Sequence, residues 1–372
     1  MIALGIGAVS LLIWLGLAAT GFWRTDINDA HARKAEPAIW PSVVAVVPAR
    51  NEADVIAHSI GSLARQEYPG SFSILLIDDN SDDGTADIVR ADGARVRIVH
   101  GAPLASGWTG KLWAVSQGVA AAGRPDFLWL TDADIEHAPD TLRTLIGIAT
   151  AGDRRMVSFM AKLRCDTPAE RALIPAFVFF FQMLYPFAWV NRPRGIGGAA
   201  GGCVLVRRDA LEAAGGIAAI RDALIDDCTL GALIKRQGPI WLGLTERSRS
   251  IRPYDTAGPI AAMIARSAYA QLDYSPLKLI GTILGLGLVY FAPPLLTLFG
   301  TGTARWLGLA AWALMAASFQ PMLHFYRRSP FWGLVLPAIA AFYAGCTILS
   351  AWQHGRGRGG MWKGRAQAAV GQ

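Results

Sequence analysis

Charge is scarce in this chain: Asp, Glu, Lys and Arg make up 17% of its 372 residues, against about a quarter in soluble domains. Hydrophobic residues reach 53% and the mean hydropathy is +0.33. That balance excludes a disordered chain and argues against a wholly soluble one. Cysteine is also scarce. Cys165, Cys203, Cys228 and Cys346 form no Cys-x-x-Cys pair and no Cys/His pair at zinc spacing, so neither a disulfide scaffold nor a structural zinc site is expected. The polar middle lacks a basic run interleaved with aromatics, so no nucleic-acid partner is expected. The formal net charge of +7 is read instead as facing anionic lipid and phosphate. There is no internal repeat and no low-complexity segment.

Long apolar runs are plentiful. Residues 2–23 hold about 22 uncharged positions, near the ~20 that a bilayer needs. No basic n-region precedes them and Trp23-Arg24 forms an interfacial stop, so an N-terminal transmembrane helix over 1–24 is expected in preference to a signal peptide. Three more runs, about 277–300, 304–326 and 331–352, carry Tyr, Trp, Arg and Lys at their ends, as interfacial anchors do. They define C-terminal membrane helices over 277–352, followed by a basic tail over 353–372. Pro293-Pro294 should break or kink the first of the three.

Between these ends, residues 25–276 alternate strand-like and helix-like pieces, which predicts an α/β domain with a largely parallel sheet. Strands are expected at 42–47, 73–77, 96–99 and 126–130, and helices at 52–66, 86–91 and 110–122. The apolar run 172–190 has the composition of a membrane helix. Spanning would put the acidic motifs before and after it on opposite sides of the bilayer, and Pro175, Gln182 and Pro186 interrupt it. An interfacial helix is the expectation.

Acidic clusters follow three strands. The first strand leads into Pro48-Ala49-Arg50-Asn51-Glu52. The second leads into Asp78-Asp79-Asn80-Ser81-Asp82-Asp83-Gly84-Thr85, and the fourth into Thr131-Asp132-Ala133-Asp134. Ligands of open α/β sheets bind off the carboxyl ends of strands. Asp82 or Asp83 reads as a helix cap. Capping does not explain Asp132-Ala133-Asp134 closing an apolar strand. Asp-x-Asp in that position suits Mg²⁺ or Mn²⁺, hard ions that share oxygens with a diphosphate. His137, three residues on, is expected at the surface.

VVPARNE, LLIDDNSDDGT, GWTGKLWAV and WLTDADIEH, in that order, resemble the GT-A (Rossmann-like) domain of family 2 glycosyltransferases. GAAGGCVLVRRDALEAAGG resembles the family's acceptor-side glycine segment. LIDDCTLGALIKRQG resembles its base-bearing helix, with Asp226 in place of the usual Glu. The resemblance covers roughly 41–254. With the flanking helices and RSAYAQLDYSPLKL, the layout is most similar to the hopanoid-biosynthesis-associated membrane glycosyltransferases.

The resemblance implies the following roles. Pro48, Arg50 and Glu52 line the nucleoside pocket, and Asp78 or Asp79, with Asp79 favoured, bonds base or ribose. Lys111 sits near the diphosphate, or is a solvated helix lysine. Asp132 and Asp134 hold nucleotide and metal, Asp134 being the favoured direct ligand. Asp227 is the general base, with Asp226 beside it on the acceptor side, where Gly201 and Gly202 form an acceptor or phosphate loop or a turn. Processive members carry Gln-x-x-Arg-Trp after the base helix. Here Arg266 stands alone for that Arg, without the leading Gln or the Trp, which favours single transfer to a lipid.

The resemblance thus implies a membrane-anchored, inverting, metal-dependent glycosyltransferase that takes a nucleotide-diphosphate sugar, a UDP-sugar favoured, to a lipid acceptor of possible hopanoid type. The alternatives are a processive polysaccharide synthase and a non-catalytic GT-A-like membrane protein that binds nucleotide or a partner. Nucleotide sugars are cytosolic, so the domain is expected on the cytosolic face of the inner membrane. Arg24, Arg33 and Lys34 agree with that side. Three further spans would leave Arg356, Arg358, Lys363 and Arg365 outside, against the positive-inside rule.

Overall fold

A computed structural model describes residues 1–90, 96–362 and 365–366, and Lys363 and Ala91 lie outside the described residues. The chain divides into two compact units. One holds residues 26–164 and 189–253; the other holds 1–25, 165–188 and 254–360.

The first unit is built on an eight-stranded mixed sheet. Its strands are β1 (Val43–Ala49), β2 (Phe72–Asp78), β3 (Val96–His100), β4 (Phe127–Thr131), β5 (Ile135–His137), β6 (Met156–Lys162), β7 (Cys203–Arg207) and β8 (Ile240–Ser250), in the order β3-β2-β1-β4-β7-β6-β8-β5. β1 to β4 are mutually parallel. β7 runs antiparallel to β4 and β6, and β5 antiparallel to β8. The parallel half is the part expected from the sequence. The antiparallel strands depart from it, because β7 joins the sheet only after the long 168–184 excursion. VVAVVPA and FSILLID are nearly continuous apolar runs, as strands covered on both faces should be. Val47, Ile56, Leu76, Trp129, Leu145, Phe159 and Leu205 form part of one buried core.

The strands end in turns that aim polar groups. Asn51 and Asn80 both adopt left-handed backbone (φ 52° and 55°), a conformation that Asn tolerates better than most residues. Asp83 is the cap: its Oδ2 accepts the Ala53 N–H and its Oδ1 the Thr85 N–H, so one carboxylate tethers the starts of two helices, Ala53–Ala64 and Thr85–Arg90.

The second unit is helical. Among the described residues, five helices are long and apolar enough to cross a membrane: Ile2–Thr20, Pro168–Val190, Pro276–Phe299, Gly302–Phe325 and Leu336–Gly355. Ile2–Thr20 packs against Gly302–Phe325 and Ala292–Phe299, and Trp14 donates to the Val289 carbonyl at 2.9 Å. Leu277, Leu284, Leu298, Phe299 and Trp306 stay exposed, as a lipid-facing surface would require. The Pro293-Pro294 pair does not break its helix. A π-turn over Gly287–Phe291 precedes it, and the two prolines sit in the first turn of Ala292–Phe299, where missing N–H groups cost least.

The apolar run after residue 167 also differs from expectation. Its helix starts at Pro168 in a capping box, with Thr167 and Glu170 satisfying each other's backbone donors, and ends at Leu184. It packs with the helical unit, so residues 165–188 and 254–276 separate from the sheet domain that 25–276 outlines. β7, which follows the helix in the chain, is hydrogen-bonded to β4, which precedes it.

Candidate active site

The site lies at the carboxyl ends of β1 and β4. A cleft there is lined by Pro48, Lys111, Thr131, Asp132, Gly201, Asp226 and Asp227, among others. Lys111, on the helix Gly110–Ala121, bonds Asp132 Oδ1 at 2.9 Å and Asp226 Oδ2 at 3.0 Å. It is therefore not a solvated helix lysine. Burial would lower its pKa, but Asp132 and Asp226 outweigh that and raise it, so the ammonium is permanent.

Asp226 and Asp227 open the helix Asp226–Lys235, where carboxylates are favoured by the helix dipole. Asp227 Oδ2 accepts the Gly201 N–H at 2.9 Å and Oδ1 the Cys228 N–H at 2.7 Å. Burial, with Asp226 adding like-charge repulsion, pushes the Asp227 carboxyl up to about 6 despite the opposing pull of Lys111. That is where a base working near neutral pH is wanted.

The glycine segment seats this helix. A Cβ on Gly197 would stand 2.2 Å from Ala232 Cα, and one on Gly231 2.5 Å from the Gly198 carbonyl carbon. Only glycine lets the two backbones meet so closely. Gly202 contributes its carbonyl, which accepts from Thr131 Oγ1 at 2.8 Å. The segment is thus a packing device as well as the frame of the cleft.

Arg252 has no counterpart in the sequence reading. Following β8, its Nε donates to Asp134 Oδ2 at 2.8 Å and its Nη2 to Glu52 Oε2 at 2.5 Å. It joins the ends of β1, β4 and β8. The only local signal is an arginine just past a strand. On the other flank, Arg50 Nη1 donates to the Asp79 carbonyl at 2.5 Å, and its Nε is buried without a hydrogen-bond partner. The carboxyls of Asp78 and Asp79 are buried. Asp78 Oδ2 lies 3.3 Å from His100 Nδ1.

One expected placement differs. His137 is buried, not at the surface: its rings nitrogens meet Thr131 Oγ1 and Ser248 Oγ, each at 2.9 Å. Two hydroxyl partners satisfy a neutral imidazole, so burial is tolerated. Arg266 is exposed on the helix Ala257–Ser267, in the helical unit.

The chemistry of the donor set fits a hard divalent cation. Five carboxylates, Glu52, Asp132, Asp134, Asp226 and Asp227, share two cations, Lys111 and Arg252. Burial raises the Asp132 pKa against the pull of Lys111, and Asp134 and Asp226 add repulsion in the same upward direction. No group of three or more acidic, His or Cys ligands is assembled among the described residues. A cation here would complete its shell with phosphate oxygens and water, as Mg²⁺ commonly does.

Residues 44–215 match the family model described as Glycosyl transferase family 2. Over 211 residues the chain is 29% identical to a beta-monoglucosyldiacylglycerol synthase of Trichormus variabilis, covering 54% of this chain and 43% of the relative. Over 125 residues it is 37% identical to a 4,4'-diaponeurosporenoate glycosyltransferase of Staphylococcus aureus, covering 32% of each. The chain therefore spans less than half the length of the curated relatives it matches. Among solved structures, it is similar to a mannosyltransferase of Pyrobaculum calidifontis in complex with GDP-Man and Mn²⁺. That likeness has a TM-score of 0.55 at 17% identity, over 94% of this chain and 99% of that one. The fold is of the GT-A kind, as the motifs imply.

Proposed function

We propose that this chain, which carries a family 2 glycosyltransferase domain at residues 44–215, transfers a sugar from a nucleotide-diphosphate donor to an amphiphilic lipid. One observation carries the reading: a raised, anchored carboxylate, Asp227, shares a cleft with Lys111 and Asp132 at the ends of the strands.

Transfer is an in-line displacement with inversion. The acceptor hydroxyl gives its proton to Asp227 as its oxygen bonds the anomeric carbon. The bond from that carbon to the diphosphate oxygen breaks, and the nucleoside diphosphate leaves with the electron pair. Lys111 holds positive charge beside the departing diphosphate. Pro48, Arg50, Glu52, Asp78 and Asp79 form the nucleoside side, and Gly201, Gly202 and Asp226 the acceptor side. A bound Mg²⁺ or Mn²⁺, held by Asp132 and Asp134, would add charge that stabilises the leaving group. Arg266 is assigned to the diphosphate by its family position alone. The presence of Mn²⁺ with GDP-Man in the Pyrobaculum structure agrees with a divalent ion.

The acceptor reading draws on the relatives' names, which denote diacylglycerol and carotenoid-acid glycosylation. A hopanoid-type acceptor is the narrower form of this proposal. The apolar Pro168–Leu184 helix suits the bilayer surface. The remaining apolar helices anchor the protein, with the sheet domain on the cytosolic face of the inner membrane.

The test is transfer by detergent-purified protein offered UDP- and GDP-sugars, Mn²⁺ or Mg²⁺ and a membrane lipid extract. One labelled sugar moving to a lipid, lost with chelator and with Asp227→Asn, is the expected result. Metal-dependent nucleotide binding without turnover on any donor would favour the non-catalytic reading. Products with many sugars would favour a processive synthase.

A further inference from the structure

We propose that Arg252 is a positioning residue that sets the reach of Asp134 toward a divalent cation; this rests on the metal-assisted donor site proposed above. The guanidinium is a planar fork, and both arms in use here point to carboxylates on different strand ends. Nε takes Asp134 Oδ2 and Nη2 takes Glu52 Oε2, while Ile251, next to Arg252, donates its N–H to the Asp134 carbonyl at 2.9 Å. Asp134 is therefore fixed at its backbone and at one carboxylate oxygen. Its Oδ1 is the oxygen left to serve a cation.

Glu52 holds the other side of the fork. Its side chain is 9% exposed, against 18% for Asp134 and 30% for Arg252. A buried carboxylate so placed needs a permanent cation. Burial would lower the Arg252 pKa, but Asp134 and Glu52 together raise it, so the charge does not titrate. Arg252 thus neutralises Glu52 and orients Asp134 in one contact. Outer partners of this kind fix the direction of a metal-ligating carboxylate.

The experiment measures Mn²⁺ affinity by the electron paramagnetic resonance of free and bound ion, with saturating UDP or GDP, on the full-length protein in detergent. Arg252→Met is expected to weaken Mn²⁺ binding on the order of ten- to hundredfold. Arg252→Lys, which keeps the charge and loses the fork, should recover part of that loss. Should Arg252→Met fail to fold, Arg252→Lys and Glu52→Gln carry the test, each with weaker Mn²⁺ binding than wild type. Unchanged Mn²⁺ affinity in a folded variant overturns the role of Arg252 while wild-type binding upholds the donor-site reading. Absence of Mn²⁺ binding by wild type with either nucleotide overturns both.

Discussion

The Gly201 amide donates to Asp227 Oδ2 at 2.9 Å, and that bond ties the glycine segment to the first turn of the helix Asp226–Lys235. The amide holds one carboxylate oxygen, and the Cys228 amide holds the other. Side-chain rotation at Asp227 is thereby restricted. In the proposed mechanism binding and proton transfer belong to different residues, which makes them separable by mutation.

Asp227→Asn keeps the size and loses the basicity. We expect nucleotide affinity within about threefold of wild type and turnover lower by roughly 10²–10⁴, the usual worth of a positioned base. Asp134→Ala should instead abolish the Mn²⁺-dependent part of nucleotide binding. Titration of nucleotide with and without Mn²⁺, beside initial rates, checks both. Equal loss of donor affinity in the two variants would refute the division of roles.

The pH profile follows from the raised carboxyl. With Asp227 near 6, the base is ionised at pH 7 and protonated at pH 5. The rate should fall about tenfold per unit below that value. Asp226→Asn removes a negative neighbour while Lys111 stays, so the acidic limb should move to lower pH. Rates of wild type and Asp226→Asn between pH 4.5 and 8 decide it. A limb that stays in place would mean that burial alone sets the shift.

The parallel half of the sheet and most of its acidic ends were legible because their signals are local. Apolar runs such as FSILLID mark strands, and the acidic clusters that follow them mark the strand ends. Long-range pairing left no such mark. Arg252 reaches Asp134 and Glu52 across 118 and 200 residues. His137 was misjudged for the same reason, since one of its two hydroxyl partners, Ser248, is 111 residues away. At Pro293-Pro294 the sequence marked an irregularity, but not its form: a π-turn over Gly287–Phe291 takes it up just before the prolines.

The contact of Gly231 with Gly198 makes a steric prediction. Gly231→Ala would force backbone atoms apart from 2.5 Å, and overpacking of this kind costs roughly 1–3 kcal/mol. The helix Asp226–Lys235 would tilt, so turnover should drop along with the melting temperature. Gly285→Ala, in the helix Pro276–Leu286 with nothing within 4 Å, is the control and should keep turnover without lowering the melting temperature. Normal turnover in Gly231→Ala would show that the close approach does not position Asp227.

His137 gives the stability of the sheet domain a pH dependence. Burial lowers its pKa to about 3, whereas in the unfolded chain it titrates near 6.5. Between those values the unfolded state binds the extra proton, so stability falls as pH falls, by up to about 1.4 kcal/mol per unit from this residue. Above about 6.5 it contributes no slope. His137→Gln loses one or both hydroxyl partners, at Thr131 and Ser248, and should be less stable than wild type at pH 7.5 by about 1–3 kcal/mol. Because Gln does not titrate, that gap should narrow from pH 6.5 to pH 5, a window in which few carboxylates have begun to protonate. Unfolding followed by near-ultraviolet circular dichroism at several pH values measures it. Parallel curves for the two proteins would mean that His137 is charged in the folded state, contrary to its buried site between two hydroxyls.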